Sequence, residues 1–142
     1  MRFLKDSDYN VQIRSEIAKI IDNTTGSINL LQAEGMAIAQ IRNHIAGRYD
    51  CNKIFTPAGD VDTRDQYIVM IVIDLALYHL WSKEGPNNIP KTRELRYEDA
   101  LKWLTAVQKG QDADLPALTN ESGEEESDIR IWSEQTKESN RF

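Results

Sequence analysis

Cysteine is nearly absent from this 142-residue chain: Cys51 stands alone, and histidine is limited to His44 and His79. A lone thiol excludes an intramolecular disulfide and a cysteine-built zinc site, and it fits a reducing compartment. Long hydrophobic runs are lacking too. The longest apolar stretch, Tyr67 to Trp81, is interrupted by Asp74 and His79 and falls short of the roughly 20 residues a membrane span requires. The opening Met1-Arg-Phe-Leu-Lys-Asp6 turns charged at once, without the apolar segment of a secretory signal, so a cytosolic chain with no membrane contact is expected. A basic excess is also missing, since 17 Lys+Arg stand against 23 Asp+Glu for a net charge of -6.

What is present suits one globular domain. Hydrophobic residues make up 40% and charged residues 28%, ordinary values for a soluble domain and unlike those of a disordered, collagen-like or membrane chain. The charge is unevenly placed. Residues 1–110 hold 14 acids and 14 bases, whereas residues 111–142 hold 9 acids and 3 bases, so the whole imbalance belongs to the tail. A neutral body with no basic block argues against non-specific nucleic-acid binding, which depends on clustered Lys and Arg neutralising phosphates. The chain divides accordingly into a body, 1–110, and an acidic extended arm, 111–142.

The body reads as a mainly α bundle of about four helices. The first covers 7–21, with Tyr9, Ile13, Ile17 and Ile20 or Ile21 recurring every three or four residues and Asp8 favouring the positive helix end. The second runs from Ile28 to Tyr49 with an apolar stripe of Leu31, Ile38, Ile41 and Ile45. Gly35 inside it marks a close backbone approach, a bend or simple tolerance. Residues 50–63, rich in Asp, Asn, Pro and Gly, form an exposed loop in this reading. The third helix starts after Thr63 and continues to Trp81, apolar almost all round and therefore buried on every side. A buried strand over Ile68 to Ile73 is the alternative, but the pattern is too long for one, and Leu75-Ala-Leu77 favours helix. The fourth spans Lys91 to Lys109 and ends at Gly110.

The arm contains Gly123-Glu-Glu-Glu-Ser127, a solvated acidic run, and then a different pattern. Asp128, Ile129, Arg130, Ile131 and Trp132 alternate charged and apolar with period two, which describes a strand with one buried face. No second strong strand exists to pair with it, so a partner on another chain is expected to complete it.

Catalytic chemistry finds little to use. There is no Gly-rich phosphate loop, nucleophile elbow, paired-histidine motif or cysteine pair, so neither a catalytic residue, a metal site nor a cofactor is assigned. His44 and His79 read as helix side chains, and Cys51 with His44 gives no assured nucleophile–base contact. Asp74 demands more explanation, because a carboxylate within an apolar helix costs several kcal/mol if buried unpaired, of order 3–5. Arg48 is the first partner expected for a structural ion pair and Arg42 the second, since a guanidinium meets a carboxylate with parallel hydrogen bonds. A small helical DNA-binding regulator is the alternative function, but no helix presents the exposed Arg, Asn and Gln face that base reading needs. Trp81, Trp103 and Trp132 suit an assembly module, because interfaces favour Trp.

The order of elements resembles the Mu-like phage head-tail adaptor family. The residues that carry the likeness are Asp6-Ser-Asp-Tyr9, Ile41-Arg-Asn-His-Ile-Ala-Gly-Arg-Tyr49, Asp74-Leu-Ala-Leu-Tyr-His-Leu80, Arg96-Tyr-Glu-Asp-Ala-Leu-Lys-Trp-Leu104 with Gly110, and the ending Asn140-Arg-Phe142. The sequence departs from the pattern after Tyr49, where Asp50-Cys-Asn-Lys-Ile-Phe-Thr-Pro57 replaces an early proline. The resemblance implies a non-enzymatic virion protein of the neck, made in the host cytoplasm. Its subunits would form a ring, expected to be a dodecamer, below the portal protein and extend the DNA channel toward tail-side neck or stopper proteins. Genomic DNA would pass without sequence-specific binding. Asp128 to Trp132, together with Phe142, would be the assembly arm, adding to a sheet edge of a neighbour.

Overall fold

Asp65 starts the central helix by accepting the Ile68 N–H at 3.0 Å, which satisfies one of the four amides a helix leaves unpaired at its beginning. This computed structural model describes residues 2–12, 28–83 and 86–119. Within them the order is a 3-10 turn (Asp6–Val11), α1 (Ile28–Ile45), α2 (Cys51–Ile54), α3 (Gln66–Ser82), a second 3-10 turn (Pro86–Asn88) and α4 (Lys91–Gln108). The fold is mainly helical, and an isolated antiparallel bridge joins Tyr49 to Ala117.

The apolar-all-round pattern of α3 has the outcome expected of it. Ile68, Val69 and every residue from Ile71 to Leu77 are buried, and α1 and α4 pack against this helix and against each other. Burying a Val, Leu or Ile side chain is worth roughly 1.5–3 kcal/mol, so this helix supplies much of the driving force for folding. The strand alternative for Ile68 to Ile73 is excluded.

The seam of α1 runs through Leu30, Ala33, Ala37, Ile41 and Ile45. The expected stripe is half right, because Ile41 and Ile45 are buried while Leu31 faces solvent and Ile38 is only partly covered. Ala33 and Ala37 do the work assigned to larger side chains, since small residues on the seam let neighbouring helices come close. Gly35 lies on the outer side, where an added Cβ would meet nothing within 4 Å, so close approach does not explain it.

Two segments differ from the sequence reading. Residues 6–11 form a 3-10 turn rather than the start of an α-helix, tightened by the Lys5 N–H donating to Asp8 Oδ2 at 2.7 Å. The rest of the helix expected over 7–21 lies outside the described residues. Residues 50–63 are not wholly an exposed loop, because Asp50 accepts the Asn52 and Lys53 N–H groups and caps α2. This turn buries Cys51 and Ile54, and the Phe55 ring meets Phe3 edge-on at 5.2 Å.

After α4, Gly110 adopts φ of 125°, a conformation in which a side chain is strained, and the chain reverses. Residues 111–119 then return along the end of α1. Asp50 N–H donates to Pro116 C=O at 2.8 Å, Leu118 N–H to Arg48 C=O at 3.2 Å, and Ala113 N–H to the Tyr49 hydroxyl at 2.9 Å. The first part of the arm is thus docked on its own body. Asp128 to Trp132 and Phe142 lie outside the described residues.

Candidate functional site

Four charged residues are buried among the described ones: Glu34, Arg64, Asp74 and Arg93. Burying a charge is costly without partners, so each marks a place where the fold has assembled a specific polar arrangement.

Asp74 sits in the middle of α3 and faces α4. Arg96 Nε donates to its Oδ1 at 2.7 Å, and Arg93 Nη1 lies 3.7 Å from the same oxygen. Arg93 and Arg96 are three residues apart, hence neighbours on one face of α4. Burial pushes the Asp74 carboxyl above the ordinary carboxylate range, with the Arg96 bond and the two nearby positive charges pulling the other way. The expected Asp74–Arg48 pair does not form. Arg48, beyond the end of α1, instead spans the chain reversal, donating to the carbonyls of Val107 and Gln111 at 2.8 and 3.1 Å and to Asp112 at 3.1 Å. The second choice, Arg42, lies over the Phe55 ring. The physical reason is register: the face of α3 that carries Asp74 looks toward the first turns of α4, whereas Arg48 lies beside its last turn.

The N-terminal segment is held by two further clusters. Arg64, whose side chain is 1% exposed, donates to both oxygens of Asp8 at 2.7 and 3.0 Å, to Asp62, and to the Phe3 carbonyl at 2.9 Å. Burial raises the Asp8 carboxyl, but the Arg64 bonds, the Lys5 amide and the Arg64 charge outweigh it and leave the group below its usual range. The bonds from Arg64 hold Asp62 well below that range as well. Glu34, on the α1 seam, receives Arg2 through two bonds and the Tyr9 hydroxyl at 2.6 Å. Burial and the Glu34 charge keep Tyr9 protonated far above the ordinary phenol range.

A cleft of about 620 Å³ opens between the N-terminal turn, α3 and α4, with Val69, Met70 and Ile73 along α3 and Arg93 and Arg96 along α4. The hydroxyls of Ser7 and Thr92 and the Asp8 carboxylate also line it, and Asp8 is held by Arg64. The histidines are engaged elsewhere. His44 Nδ1 donates to the Gln40 carbonyl at 2.8 Å, and His79 Nε2 to the Gln40 side-chain oxygen, with burial lowering the His79 pKa. Burial raises the Cys51 thiol. Among the described residues no three His, Cys, Asp or Glu side chains are placed to hold a metal ion, and no helix is long and apolar enough to cross a membrane.

The same helices carry the family pattern. The model of the family described as bacteriophage Mu, Gp36 matches residues 10–131. The chain belongs to the bacteriophage Mu Gp36 family. No curated protein and no solved structure matches it. The Gp36 match covers α1 to α4 and the docked segment 111–119, so the four helices and the beginning of the arm are part of one family pattern, which starts within the N-terminal turn. Sequence reasoning missed the Gp36-family chain's Arg64 and Glu34. Arg64 sits next to an expected loop, where a positive side chain reads as solvated. Glu34 gave a usable signal, because it falls between Leu30 and Ala37 on the apolar seam, where only a paired carboxylate is tolerated.

Proposed function

We propose that this protein is a structural component of the phage virion, a head-tail connector subunit that assembles as a ring below the portal and extends the DNA channel toward the tail. The observation that carries the reading is the Mu Gp36 family match over 10–131, spanning every long helix of the body. The physical character of the body supports it. Its buried charges face one another instead of a reacting group, as in Asp74 with Arg96 and Arg64 with Asp8. Residues 1–110 are electrically balanced, which suits a wall past which DNA slides without adhering. No reaction is assigned to the protein. Its partners in this reading are copies of itself, expected as a dodecamer, the portal, tail-side neck or stopper proteins, and DNA in transit.

The arm is the proposed grip. A period-two segment at 128–132 gains a full set of backbone hydrogen bonds by adding to a sheet edge on a neighbour. Removing residues 120–142 spares every described contact and is expected to leave a folded body that fails to join the portal. Two measurements test the reading: electron microscopy of complete virions, with the protein expected at the neck, and particle assembly by the truncated chain. Density for the protein in the capsid shell or tail fibres would refute the location, and normal particles made with the truncated chain would refute the grip.

A further inference from the structure

Helix α4 carries two unlike surfaces. On one side Trp103 packs edge-on against Tyr67 of α3, their ring centroids 4.9 Å apart. Two small clefts of about 210 and 250 Å³ flank this aromatic pair and share Tyr67 as a common wall. Their linings contain five aspartates and a single arginine, Arg96, which Asp74 already engages. Asp65, Asp99, Asp112 and Asp114 form the rim. Asp112 is shared with Arg48, while Asp99 and Asp114 have no ion-pair partner among the described residues.

The other surface is a shallow apolar stripe of about 550 Å³ formed by Leu101, Thr105 and Ala106, with Lys102 and Lys109 against one acid, Glu98. Exposed Leu95 extends it toward the helix start. At 3.6 residues per turn the stripe and the aromatic side lie roughly 140° apart around α4. The stripe lies away from the helix face closed by Ala100, Leu104 and Val107, whereas the cleft side borders it, Ala100 lining one of the two clefts.

We propose that these two surfaces are the two halves of one contact between copies of this chain: the lysine-flanked stripe of one copy seats on the aspartate-rimmed Tyr67–Trp103 cleft of the next. The inference rests on the assembly reading above and supplies its interface. Charge selects the occupant, because the cleft is negative and aromatic, and the stripe offers a shallow, open apolar surface with two ammonium groups to meet the rim and the ring faces. Placement selects the symmetry. A patch that meets a different patch makes a head-to-tail contact, and such contacts continue from copy to copy until the rotation closes a ring. A two-fold dimer would need stripe and cleft side by side on one face, so that each copy's stripe met the other's cleft, whereas the two surfaces lie roughly 140° apart around α4.

The test uses the full chain in two single-substitution forms, Lys102→Cys and Asp114→Cys, treated with a short bis-maleimide; the native Cys51 is buried. Mixing the two forms is expected to give at least fivefold more linked dimer than either alone. The double form, Lys102→Cys with Asp114→Cys, is expected to give a ladder of trimers and longer species. Asp99→Lys in the Asp114→Cys form should reduce the mixed product at least fivefold, and Lys109→Glu in the other form should restore it. Equal linking in mixed and separate forms, a double form that stops at dimers, or no linked product overturns the interface. Its failure is separable from that of the connector reading: virions with the protein at the neck but no ladder would condemn this contact alone, whereas a ladder from a protein absent from the neck would condemn only the location.

Discussion

Arg64 grips Asp8 across 56 residues of sequence, with both guanidinium nitrogens of the outer fork bonded to both carboxylate oxygens at 2.7 and 3.0 Å. The same side chain reaches the Phe3 carbonyl and Asp62, so one buried residue ties the N-terminal turn to the segment leading into α3. Bidentate bonds of this kind fix orientation as well as proximity. The N-terminal turn is therefore part of the body.

Replacing Arg64 with alanine removes all of these bonds and leaves two neighbouring carboxylates facing each other. A loss of about 3 kcal/mol is expected, the lower range for breaking a buried pair, because Asp8 and Asp62 retain some access to water. Chemical denaturation measures it directly. Arg64→Lys should recover only part of the loss, since an ammonium cannot engage both carboxylates in parallel.

The acid response follows from carboxylates shifted in opposite directions. Asp8 and Asp62 have lowered folded values, so their contribution is complete above the ordinary carboxylate pKa of about 3.9 and is lost as pH falls through the folded values. Asp74 is raised, so its folded form holds a proton more tightly, and between the ordinary and the raised value acidification favours the fold at that site. Thermal melts should show wild type losing stability below about pH 4, where Asp8 and Asp62 begin to bind protons in the unfolded chain. The Arg64→Ala variant should lose less over the same interval. Parallel curves for the two proteins would contradict the assignment.

Asp74 separates charge from shape. Asparagine keeps an oxygen for the Arg96 Nε–H but loses the negative charge that the two guanidinium groups face, so Asp74→Asn is expected to cost about 1–2 kcal/mol. Alanine also removes the acceptor of the Arg96 Nε–H and leaves a void beside it, and a cost of about 2–4 kcal/mol is expected. Urea midpoints of the two variants decide the matter.

Gly35 offers a gain. It lies inside α1, a Cβ there meets nothing within 4 Å, and alanine is favoured over glycine in a helix interior by about 1 kcal/mol. Gly35→Ala should raise the melting temperature by several degrees, about 4 for a body of this size.

The long helices of the body were legible from periodicity, whereas the helix read in the same way over 7–21 begins as a 3-10 turn. The long third helix and the fourth were readable almost to the residue, because an apolar run that continues past Asp74 and His79 to Trp81 and a stop at Gly110 leave few choices. The α1 stripe was placed partly on the wrong residues because alanine gives a weak apolar signal although Ala33 and Ala37 form the close contact. The need of Asp74 for a guanidinium was readable, but the donor was not: pairing depends on how α3 and α4 align, and no local pattern encodes that. Phe55 was hidden among loop-forming neighbours, and its burial follows from Phe3 and Arg42, residues distant in sequence.

The return of residues 111–119 along α1 has a mechanical consequence. Among the described residues, the segment is tied to the body through Leu118 N–H on Arg48 C=O, Pro116 C=O on Asp50 N–H and the Ala113 amide on Tyr49. Force carried by these bonds enters the helical body at the junction of α1 and α2, where Arg48 also holds the Val107 carbonyl in the last turn of α4. A tail anchored in this way can be tugged by whatever holds its far end while the packed helices keep their arrangement, as a rope made fast to a cleat spares the deck.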